Sequence, residues 1–361
     1  MDGHETETCN DDNNKKNNNS YYDRAKEVKD FDDSKIGVKG LVDSGITAIP
    51  RFFHHPPETA AVAGAGAADA SISIPTIDLS GDPGAVSAEI RSAAQTLGFF
   101  QIINHGVPSG LQSDLISAIK SFNDLPAGAK SEFYTRDFAA SGGVSFATNF
   151  DLLRSKAASW RDTIQIRTSA VEWGRVPGEV RREVEEWDGM MVGVGRRVMG
   201  AMGLGECGCL EGRLVAGHYY PWCPEADRTV GIASHTDPAV LTVLLQDGVG
   251  GLQVKHGDGW VDVVPLPGAL VINVGDILQI LSNDEYKSVE HRVLANRFRE
   301  PRISIAIFFN PGDREALCGP LPEFITPEKP ALYRQFKFSE FLRRFVTKEL
   351  DGKTLINYFR L

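Results

Sequence analysis

The spacing of apolar residues predicts that the part of the chain between residues 72 and 210 is rich in helices. Apolar positions there often recur every three or four residues, which is the period of one helix face. The longest stripe steps by 4, 3, 4, 3 and 4 residues and consists of Val180, Val184, Trp187, Met191, Val194 and Val198. We predict a helix of about 20 residues that packs along this stripe and ends near Gly203 and Gly205.

Shorter elements precede this helix. The segment SISIPTIDL alternates apolar and polar residues and predicts a strand, and FFQIINHG predicts a second strand that ends at Asn-His-Gly. Between them, Asp82-Pro83 has the residue types of a helix start, and the helix predicted after it ends at Gly98. A further helix is predicted after Ser109, with an apolar stripe of Leu111, Leu115, Ile119 and Phe122.

After about Leu214 the apolar period changes to two, which is the period of a strand. Eight β-rich runs follow: LVAGHYY, TVGIASH, VLTVLLQ, GLQVK, WVDVV, ALVINV, SVEHRVL and RISIAIFF. Eight short strands joined by turns fit a double-sheet jelly roll, and the later segment SEFLRRFVTKEL is again helical in pattern. We therefore predict a mainly β protein with flanking helices, in which an α-rich N-terminal domain supports a jelly-roll (double-stranded β-helix) core.

The N-terminal region follows neither pattern. Residues 1–28 are rich in Asn, Asp and Lys, which predicts a disordered tail. Residues 58–71 are mostly Ala and Gly and predict a flexible linker rather than a helix. We expect the segment between them to be ordered only by packing on the main body. The predicted organisation is a disordered tail (1–28), an extension with its linker (29–71), an α-rich domain (72–210), a jelly-roll domain (211–312) and a C-terminal helical segment (313–361).

Charge and cysteine content argue against several function classes. The chain has 38 basic and 48 acidic residues, for a net charge of −10, so it has no general attraction to nucleic acid or anionic lipid. No apolar run reaches the roughly 20 residues that span a bilayer, and the N-terminus resembles no secretory signal. Five scattered cysteines argue against a disulfide framework and for a reducing compartment. We therefore expect a soluble, cytoplasmic, monomeric protein whose partner is a small molecule.

Two histidines and one aspartate form the first candidate site. His235 and Asp237 stand two residues apart at the end of a predicted strand, so their side chains leave the same face. This pair alone is a weak signal, but His291 on a later predicted strand completes a ligand set. Two histidines and a carboxylate can occupy one face of an iron ion and leave the opposite face for substrate and O₂. The same ligands also suit Zn²⁺, so a zinc hydrolase is an alternative.

A second candidate site lies on the last predicted strand of the core. Arg302 and Ser304 share a strand face, and a buried guanidinium without an anion is costly. A small dicarboxylic acid would provide that anion through a charge-assisted hydrogen bond, and an internal salt bridge is the alternative. Phe308 and Asn310 follow at the same even spacing, where they either line the same cavity as substrate contacts or pack in the core.

Taken in order, these motifs resemble those of the plant Fe(II)/2-oxoglutarate-dependent dioxygenases. The resemblance is carried by His235-Thr236-Asp237, by His291, by Arg302-Ile303-Ser304, by the run HYYPWCP from His218 and by LGFFQIINHGV from Leu97. Two further motifs, WRDT from Trp160 and FDDSKIGVKGL from Phe31, resemble the subgroup of 1-aminocyclopropane-1-carboxylate oxidase homologues. That subgroup includes desacetoxyvindoline 4-hydroxylase and benzoxazinoid-glucoside dioxygenases. The resemblance extends from about Phe31 to the C-terminus.

The resemblance implies a role for each site residue. Iron would be bound by His235, Asp237 and His291. The co-substrate 2-oxoglutarate would be bound by Arg302 and Ser304, with a phenolic hydrogen bond from Tyr220. The family commonly has Asn at the position of His218, so this residue either contacts 2-oxoglutarate or packs in the sheet.

The implied function is the oxidation, typically hydroxylation, of a small plant specialised metabolite of the indole, alkaloid, benzoxazinoid or flavonoid class, with release of succinate and CO₂. The implied cofactors are Fe(II), 2-oxoglutarate and O₂, and we expect ascorbate to act as a reductant. One rival is an enzyme of the 1-aminocyclopropane-1-carboxylate oxidase type, which uses ascorbate instead of 2-oxoglutarate. A non-catalytic small-molecule-binding relative is another, disfavoured because no ligand position is substituted. These motifs do not determine the substrate.

Overall fold

The structure is a computed structural model that describes residues 22–60, 73–138, 140–205, 207–347 and 354–361. Predictions for residues 1–21 and for 61–72 lie outside this part of the chain. The described strands are β1 (Thr76–Asp78), β2 (Phe99–Ile103), β3 (Val144–Ala147), β4 (Asp162–Ile166), β5 (Gly212–Tyr220), β6 (Val230–His235), β7 (Leu241–Gln246), β8 (Leu252–His256), β9 (Gly259–Asp262), β10 (Leu270–Val274), β11 (His291–Leu294), β12 (Arg302–Asn310), β13 (Leu317–Cys318) and β14 (Phe336–Lys337).

Helices lie before, between and after these strands. They are α1 (Arg24–Ser34), α2 (Gly37–Asp43), α3 (Pro57–Ala60), α4 (Pro83–Thr96), α5 (Ser109–Asp124), α6 (Ala127–Ser131), α7 (Gly178–Ala201), α8 (Asp276–Leu281), α9 (Phe338–Thr347) and α10 (Thr354–Asn357). Short 3-10 turns occur at Arg51–Phe53, Trp173–Arg175, Ala226–Arg228 and Pro322–Phe324. Within the described ranges, no helix combines the length and the apolar character that a membrane crossing requires.

Two β-sheets pack together as the core. The larger has the strand order β1-β2-β10-β7-β12-β5-β4-β3 and the smaller has the order β6-β11-β8-β9. Side chains from both sheets form one apolar cluster, for example Phe99 and Tyr220 from the larger sheet with Ile232 and Val293 from the smaller. The predicted jelly-roll core is thus confirmed, and all eight strands predicted after Leu214 are present as β5 to β12.

The other face of the larger sheet is covered by helices. The predicted long helix is α7, and all six residues of its predicted stripe are buried. They pack in one cluster with Ile303, Ile305 and Ile307 of β12. Because side chains alternate along a strand, Arg302 and Ser304 must then face the opposite way, into the space between the two sheets. The outward isoleucines thereby determine which face of β12 carries the polar residues.

Sequence analysis missed several elements, and three of them bear on the core. Strands β3 and β4 lie in the stretch predicted to be α-rich, and the short helix α8 lies between β10 and β11. Because β4 pairs with β5, strands from both sides of the predicted boundary at residues 210 and 211 share the larger sheet. The division of the chain at that boundary stays a prediction.

The predicted disorder of residues 1–28 was wrong for its last residues. Helix α1 begins at Arg24, and two of its residues on one face, Val28 and Phe31, are buried. The ring of Phe31 lies 5.5 Å from that of Phe52, in a cluster that also contains Trp160. Composition suggested a chain with little to bury, but this tertiary contact orders the helix. The predicted linker was also wrong at its start, because α3 (Pro57–Ala60) is helical.

The buried face of α1 should contribute measurably to stability. We expect Phe31→Ala to lower the free energy of unfolding by about 3–5 kcal/mol, because it removes a ring from a packed aromatic cluster. Chemical denaturation measures this change. Lys29→Ala is the control, since this exposed residue of the same helix should change the unfolding free energy by no more than about 0.5 kcal/mol. An unchanged value for Phe31→Ala would mean that α1 adds nothing to the core.

The cysteines include one bonded pair that the sequence did not suggest. Cys207 and Cys209 form a disulfide, with their Cα atoms 5.1 Å apart. Cys223 and Cys318 are buried and free. A bond between cysteines two residues apart closes only a minimal loop, so it does not make the disulfide framework that the sequence argued against.

Candidate metal and anion site

The ends of two neighbouring strands bring the candidate histidines together. His235 is the last residue of β6, His291 is the first of β11, and the two are cross-strand partners. Asp237 follows β6, and its Oδ1 lies 3.6 Å from Nε2 of His235 and 3.7 Å from Nε2 of His291. One ligand atom from each of the three residues lies within 4.8 Å of the other two. A single metal ion could therefore contact all three.

Backbone carbonyl groups orient both imidazole rings. Nδ1 of His235 lies 2.9 Å from the carbonyl oxygen of Ala233, and Nδ1 of His291 lies 3.3 Å from that of Val289. Because a carbonyl oxygen can only accept, each Nδ1 carries the proton and each Nε2 presents its lone pair to the side of Asp237. Metal-binding histidines usually have such a partner for the second ring nitrogen.

Burial and mutual proximity set the charges of this group. Burial, together with the nearby His291, lowers the pKa of His235 to about 3. Burial alone would raise the pKa of Asp237, but the facing imidazoles of His291 and His235 and hydrogen bonds from Asn273 and Thr242 lower it overall. The site therefore holds a neutral His235 and an ionised Asp237, which are the forms that bind a divalent cation.

Arg302 places a positive charge between the sheets without a carboxylate at salt-bridge distance, and Asp247 acts on it only from further away. Its side chain is almost completely buried, and it donates to the carbonyl oxygen of Gly250 at 2.6 Å, to Oγ of Ser304 at 3.0 Å and to Oε1 of Gln246 at 3.2 Å. The ring of Tyr220 lies 4.8 Å from the guanidinium carbon. All these partners are neutral. Among the described residues no carboxylate oxygen lies within 4.0 Å, so the internal salt bridge considered as an alternative is not found there.

The remaining predicted contact residues lie further along β12. Phe308 is on the same face as Arg302 and is the cross-strand partner of Thr242. Because Thr242 donates a hydrogen bond to Asp237, Phe308 lies beside the metal-ligand group. Asn310 ends the strand and donates to the carbonyl oxygen of Phe308. The structure thus places Phe308 beside Thr242, which contacts Asp237, and it places Asn310 at the end of β12 furthest from Arg302.

His218 has two partners that sequence analysis did not assign to the site. Its Nδ1 lies 3.2 Å from a guanidinium nitrogen of Arg161 and 3.0 Å from Oγ1 of Thr163. Burial, with Arg161, Arg302 and His235 nearby, lowers the pKa of His218 well below its usual value. The ring is therefore neutral, accepts at Nδ1 and carries its proton on Nε2. A signal was available in the sequence, because Arg161 and Thr163 have the same i, i+2 spacing as the other site pairs.

Comparison with known proteins identifies the family. The family model described as "2OG-Fe(II) oxygenase superfamily" matches residues 212–311, and one described as "non-haem dioxygenase in morphine synthesis N-terminal" matches residues 74–187. The Arabidopsis thaliana protein named 1-aminocyclopropane-1-carboxylate oxidase homolog 4 is 41% identical over 352 residues, which cover 93% of this chain and 98% of that protein. The chain belongs to the 2-oxoglutarate/Fe(II) oxygenase superfamily.

Another relative and two solved structures agree with this assignment. An Arabidopsis thaliana protein named "Probable 2-oxoacid dependent dioxygenase" is 40% identical over 362 residues, covering 94% of this oxygenase and 99% of that protein. The crystal structure of JOX2 in complex with 2OG, Fe and JA has a TM-score of 0.79 at 28% identity and covers 90% of this chain and 97% of that chain. A rice dioxygenase for auxin oxidation has a TM-score of 0.69 at 27% identity, with 80% and 100% covered.

The family assignment decides the reaction class and the cofactors. The protein is a 2-oxoglutarate-dependent dioxygenase, and its family requires Fe(II), 2-oxoglutarate and O₂. The residues of this oxygenase fit those groups, because two oriented imidazoles and an ionised carboxylate suit Fe(II). The buried, unpaired guanidinium of Arg302 suits a carboxylate of the co-substrate.

Two polar side chains support Asp237 and should matter for metal binding. Asn273 and Thr242 each donate to Oδ2 of Asp237 at 2.7 Å, which leaves Oδ1 for the metal. We expect Asn273→Ala to weaken Fe(II) binding by about 10- to 100-fold, because the carboxylate loses part of what orients it. Metal titration measures the change, with Asn104→Ala on the surface as the control. An unchanged iron affinity in Asn273→Ala would show that this hydrogen bond does not orient the Asp237 carboxylate for metal binding.

Proposed function

We propose that this oxygenase hydroxylates, or otherwise oxidises, a small plant specialised metabolite at an iron ion held by His235, Asp237 and His291. The observation that carries the proposal is the pairing of two sites on one inner surface. One is the His-Asp-His group, and the other is the buried Arg302 with only neutral partners. With a metal site beside a cationic site, a dicarboxylate co-substrate can bind the metal at one end and the arginine at the other.

The protein's contribution at the metal is to hold and orient the ion. When bound, Fe(II) and 2-oxoglutarate would allow O₂ to serve as the oxidant, with 2-oxoglutarate converted to succinate and CO₂. His235 and His291 offer oriented lone pairs, and Asp237 supplies the negative charge. Three protein ligands on one face leave the other positions open for co-substrate and O₂. Phe99 packs edge-on against the His291 ring at 5.1 Å between centroids and restricts its rotation.

The second part of the proposal concerns 2-oxoglutarate. Its remote carboxylate would receive hydrogen bonds from the Arg302 guanidinium and the Ser304 hydroxyl, which are already joined to each other at 3.0 Å. The buried Tyr220 packs against the guanidinium and would add a phenolic hydrogen bond. Gly250 and Gln246 keep the guanidinium in place, so little reorganisation is needed when the anion binds.

The substrate is proposed to bind on the side of the metal where Phe308 lies, with Asn310 at the edge. An aromatic face there suits the indole, alkaloid, benzoxazinoid and flavonoid classes proposed from the sequence. The relatives support a small-molecule substrate, since one solved neighbour is complexed with JA and another is named for auxin oxidation. We propose that the enzyme acts as a monomer in the cytoplasm, with no nucleic-acid or membrane partner, and that ascorbate serves as its reductant.

The names of the relatives also raise the rival activity of a 1-aminocyclopropane-1-carboxylate oxidase, which would use ascorbate in place of 2-oxoglutarate. The unpaired charge of Arg302 favours the dicarboxylate. Membership of the desacetoxyvindoline 4-hydroxylase or benzoxazinoid-glucoside group remains part of the proposal.

The decisive experiment is a turnover screen. The protein is purified anaerobically, loaded with Fe(II) and 2-oxoglutarate, exposed to O₂ and offered a library of plant metabolites. Succinate release and a product that has gained an oxygen atom would support the proposal, and Asp237→Ala is the inactive control. Ascorbate consumption without succinate would favour the rival activity, and no reaction with any metal-loaded sample would count against both.

A further inference from the structure

A second buried arginine lies between the sheets without an anionic partner. Arg161 is more than nine-tenths buried, and one of its guanidinium nitrogens contacts Nδ1 of His218 at 3.2 Å. Its Nε is fully buried and has no hydrogen-bond partner. No carboxylate oxygen of the described residues lies within 4.0 Å of this guanidinium. A buried cation with an unsatisfied N–H donor costs free energy unless a ligand supplies a hydrogen-bond acceptor and a negative charge.

The position of Arg161 separates it from the 2-oxoglutarate site while keeping it on the same inner surface. Arg161 directly precedes β4, and Thr163 of that strand is the cross-strand partner of His218 on β5. On the other side, His218 is paired with Ser304 of β12. The neutral imidazole therefore stands between two guanidinium groups, those of Arg161 and Arg302, and accepts from the first of them.

One carboxylate does influence Arg161 from further away. Asp151 interacts with it electrostatically, but burial raises the pKa of Asp151 in spite of that interaction. A close, well-formed ion pair would instead lower the pKa of the carboxyl group. Asp151 lies beyond the 4.0 Å of a salt bridge with Arg161, but it is the natural candidate for a structural partner and must be tested as one.

We propose that Arg161, positioned by His218, binds an anionic group of the oxidised substrate, so that the preferred substrate is a small organic acid. This inference rests on the proposed function, because it assumes that a substrate is oxidised at the His-Asp-His group. Counting the negative charges of 2-oxoglutarate assigns different anions to the two arginines. One carboxylate of 2-oxoglutarate is assigned to Arg302 and the other end of that molecule to the metal, so the Arg161 cation is left for a third anion.

The test compares acids with their own methyl esters. The probes are cinnamate, indole-3-acetate and benzoate, each beside its methyl ester, and binding is measured by fluorescence titration. The protein is loaded with Mn(II) and 2-oxoglutarate without O₂, so no turnover occurs. In the wild type, at least one acid should bind about 10- to 100-fold more tightly than its ester, the range expected of a charge-assisted hydrogen bond. In Arg161→Gln this preference should disappear, and Arg161→Lys should keep part of it.

Two further arms of the test ask whether Arg161 serves 2-oxoglutarate or Asp151 instead of the substrate. If Arg161 contacts 2-oxoglutarate, Arg161→Gln will weaken 2-oxoglutarate binding and leave the acid preference intact, which overturns the proposal. If Asp151 is the real partner of Arg161, the wild type will show no acid preference, and Asp151→Asn, which removes the competing negative charge, will create one; this also overturns the proposal. The proposal is also overturned if the wild type prefers the esters or shows no preference between acid and ester. Chemical denaturation checks that all three variants fold.

The outcome is separable from that of the proposed function. The turnover screen with Fe(II), 2-oxoglutarate, O₂ and the metabolite library tests the reaction itself. Without succinate formation in any sample of that screen the proposed function fails, whatever the acid and ester affinities are. Succinate formation without an acid preference would overturn only the role of Arg161.

Discussion

Turnover is expected to be abolished when any one of His235, Asp237 and His291 is replaced by alanine. Each supplies one of three ligands, and the structure offers no fourth metal-binding side chain in this group among the described residues. With two ligands left, the ion loses both affinity and orientation. Removing Asp237 also removes the charge that balances the cation, so we expect its variant to retain the least iron.

The measurement combines succinate formation with metal content. His256→Ala is the matched control, because this histidine is exposed at the end of β8 and should keep full activity and iron. Wild-type activity and iron content in any one of the three ligand variants would contradict the assignment of that residue.

The second large effect is expected at Arg302. Arg302→Ala should weaken 2-oxoglutarate binding by about 3–5 kcal/mol, because the remote carboxylate would be desolvated opposite neutral groups. At about 1.4 kcal/mol per tenfold change, the loss is two to three orders of magnitude or more in affinity. Arg302→Lys should recover only part, since an ammonium lacks the planar fork that now spans Gly250, Ser304 and Gln246.

Iron binding distinguishes this prediction from general damage to the site. Arg302 contacts none of the three metal ligands, so the iron content of both variants should match that of the wild type. The 2-oxoglutarate dependence of succinate formation gives the apparent affinity, with Arg182→Ala on the surface as the control. If Arg302→Ala keeps the wild-type apparent affinity, Arg302 does not bind the co-substrate, and the assignment of Ser304 and Tyr220 loses its main support.

Elements with a strong local pattern could be predicted from the sequence. The stripe from Val180 to Val198 keeps helical spacing over about five turns without interruption, and α7 covers it entirely. Alternation in RISIAIFF predicted a strand with isoleucines on one face, and β12 has them packed against the helices. In both cases the period of the chain and the burial of one face require the same structure.

Elements ordered by distant contacts were missed. Helix α1 has few apolar residues, and its composition resembles that of a disordered tail. Its two buried side chains stabilise the helix only because the fold packs Phe52 and Trp160 against them. Likewise β4 is a strand because β5 and β3 lie on either side of it, since its own alternation is confined to Ile164-Gln165-Ile166 and is too short to identify a strand.

By itself, the sequence determined which residue types are available for the chemistry: a His-x-Asp pair, a later histidine and an Arg-x-Ser pair, each at strand spacing. Only the tertiary structure decided what these groups face. It provided Asp237 with its donors Asn273 and Thr242, left Arg302 without a carboxylate at salt-bridge distance, and placed Arg161 against His218. The physical reason is that spacing along a strand specifies a face locally, whereas a partner across a sheet is specified by strand order and register.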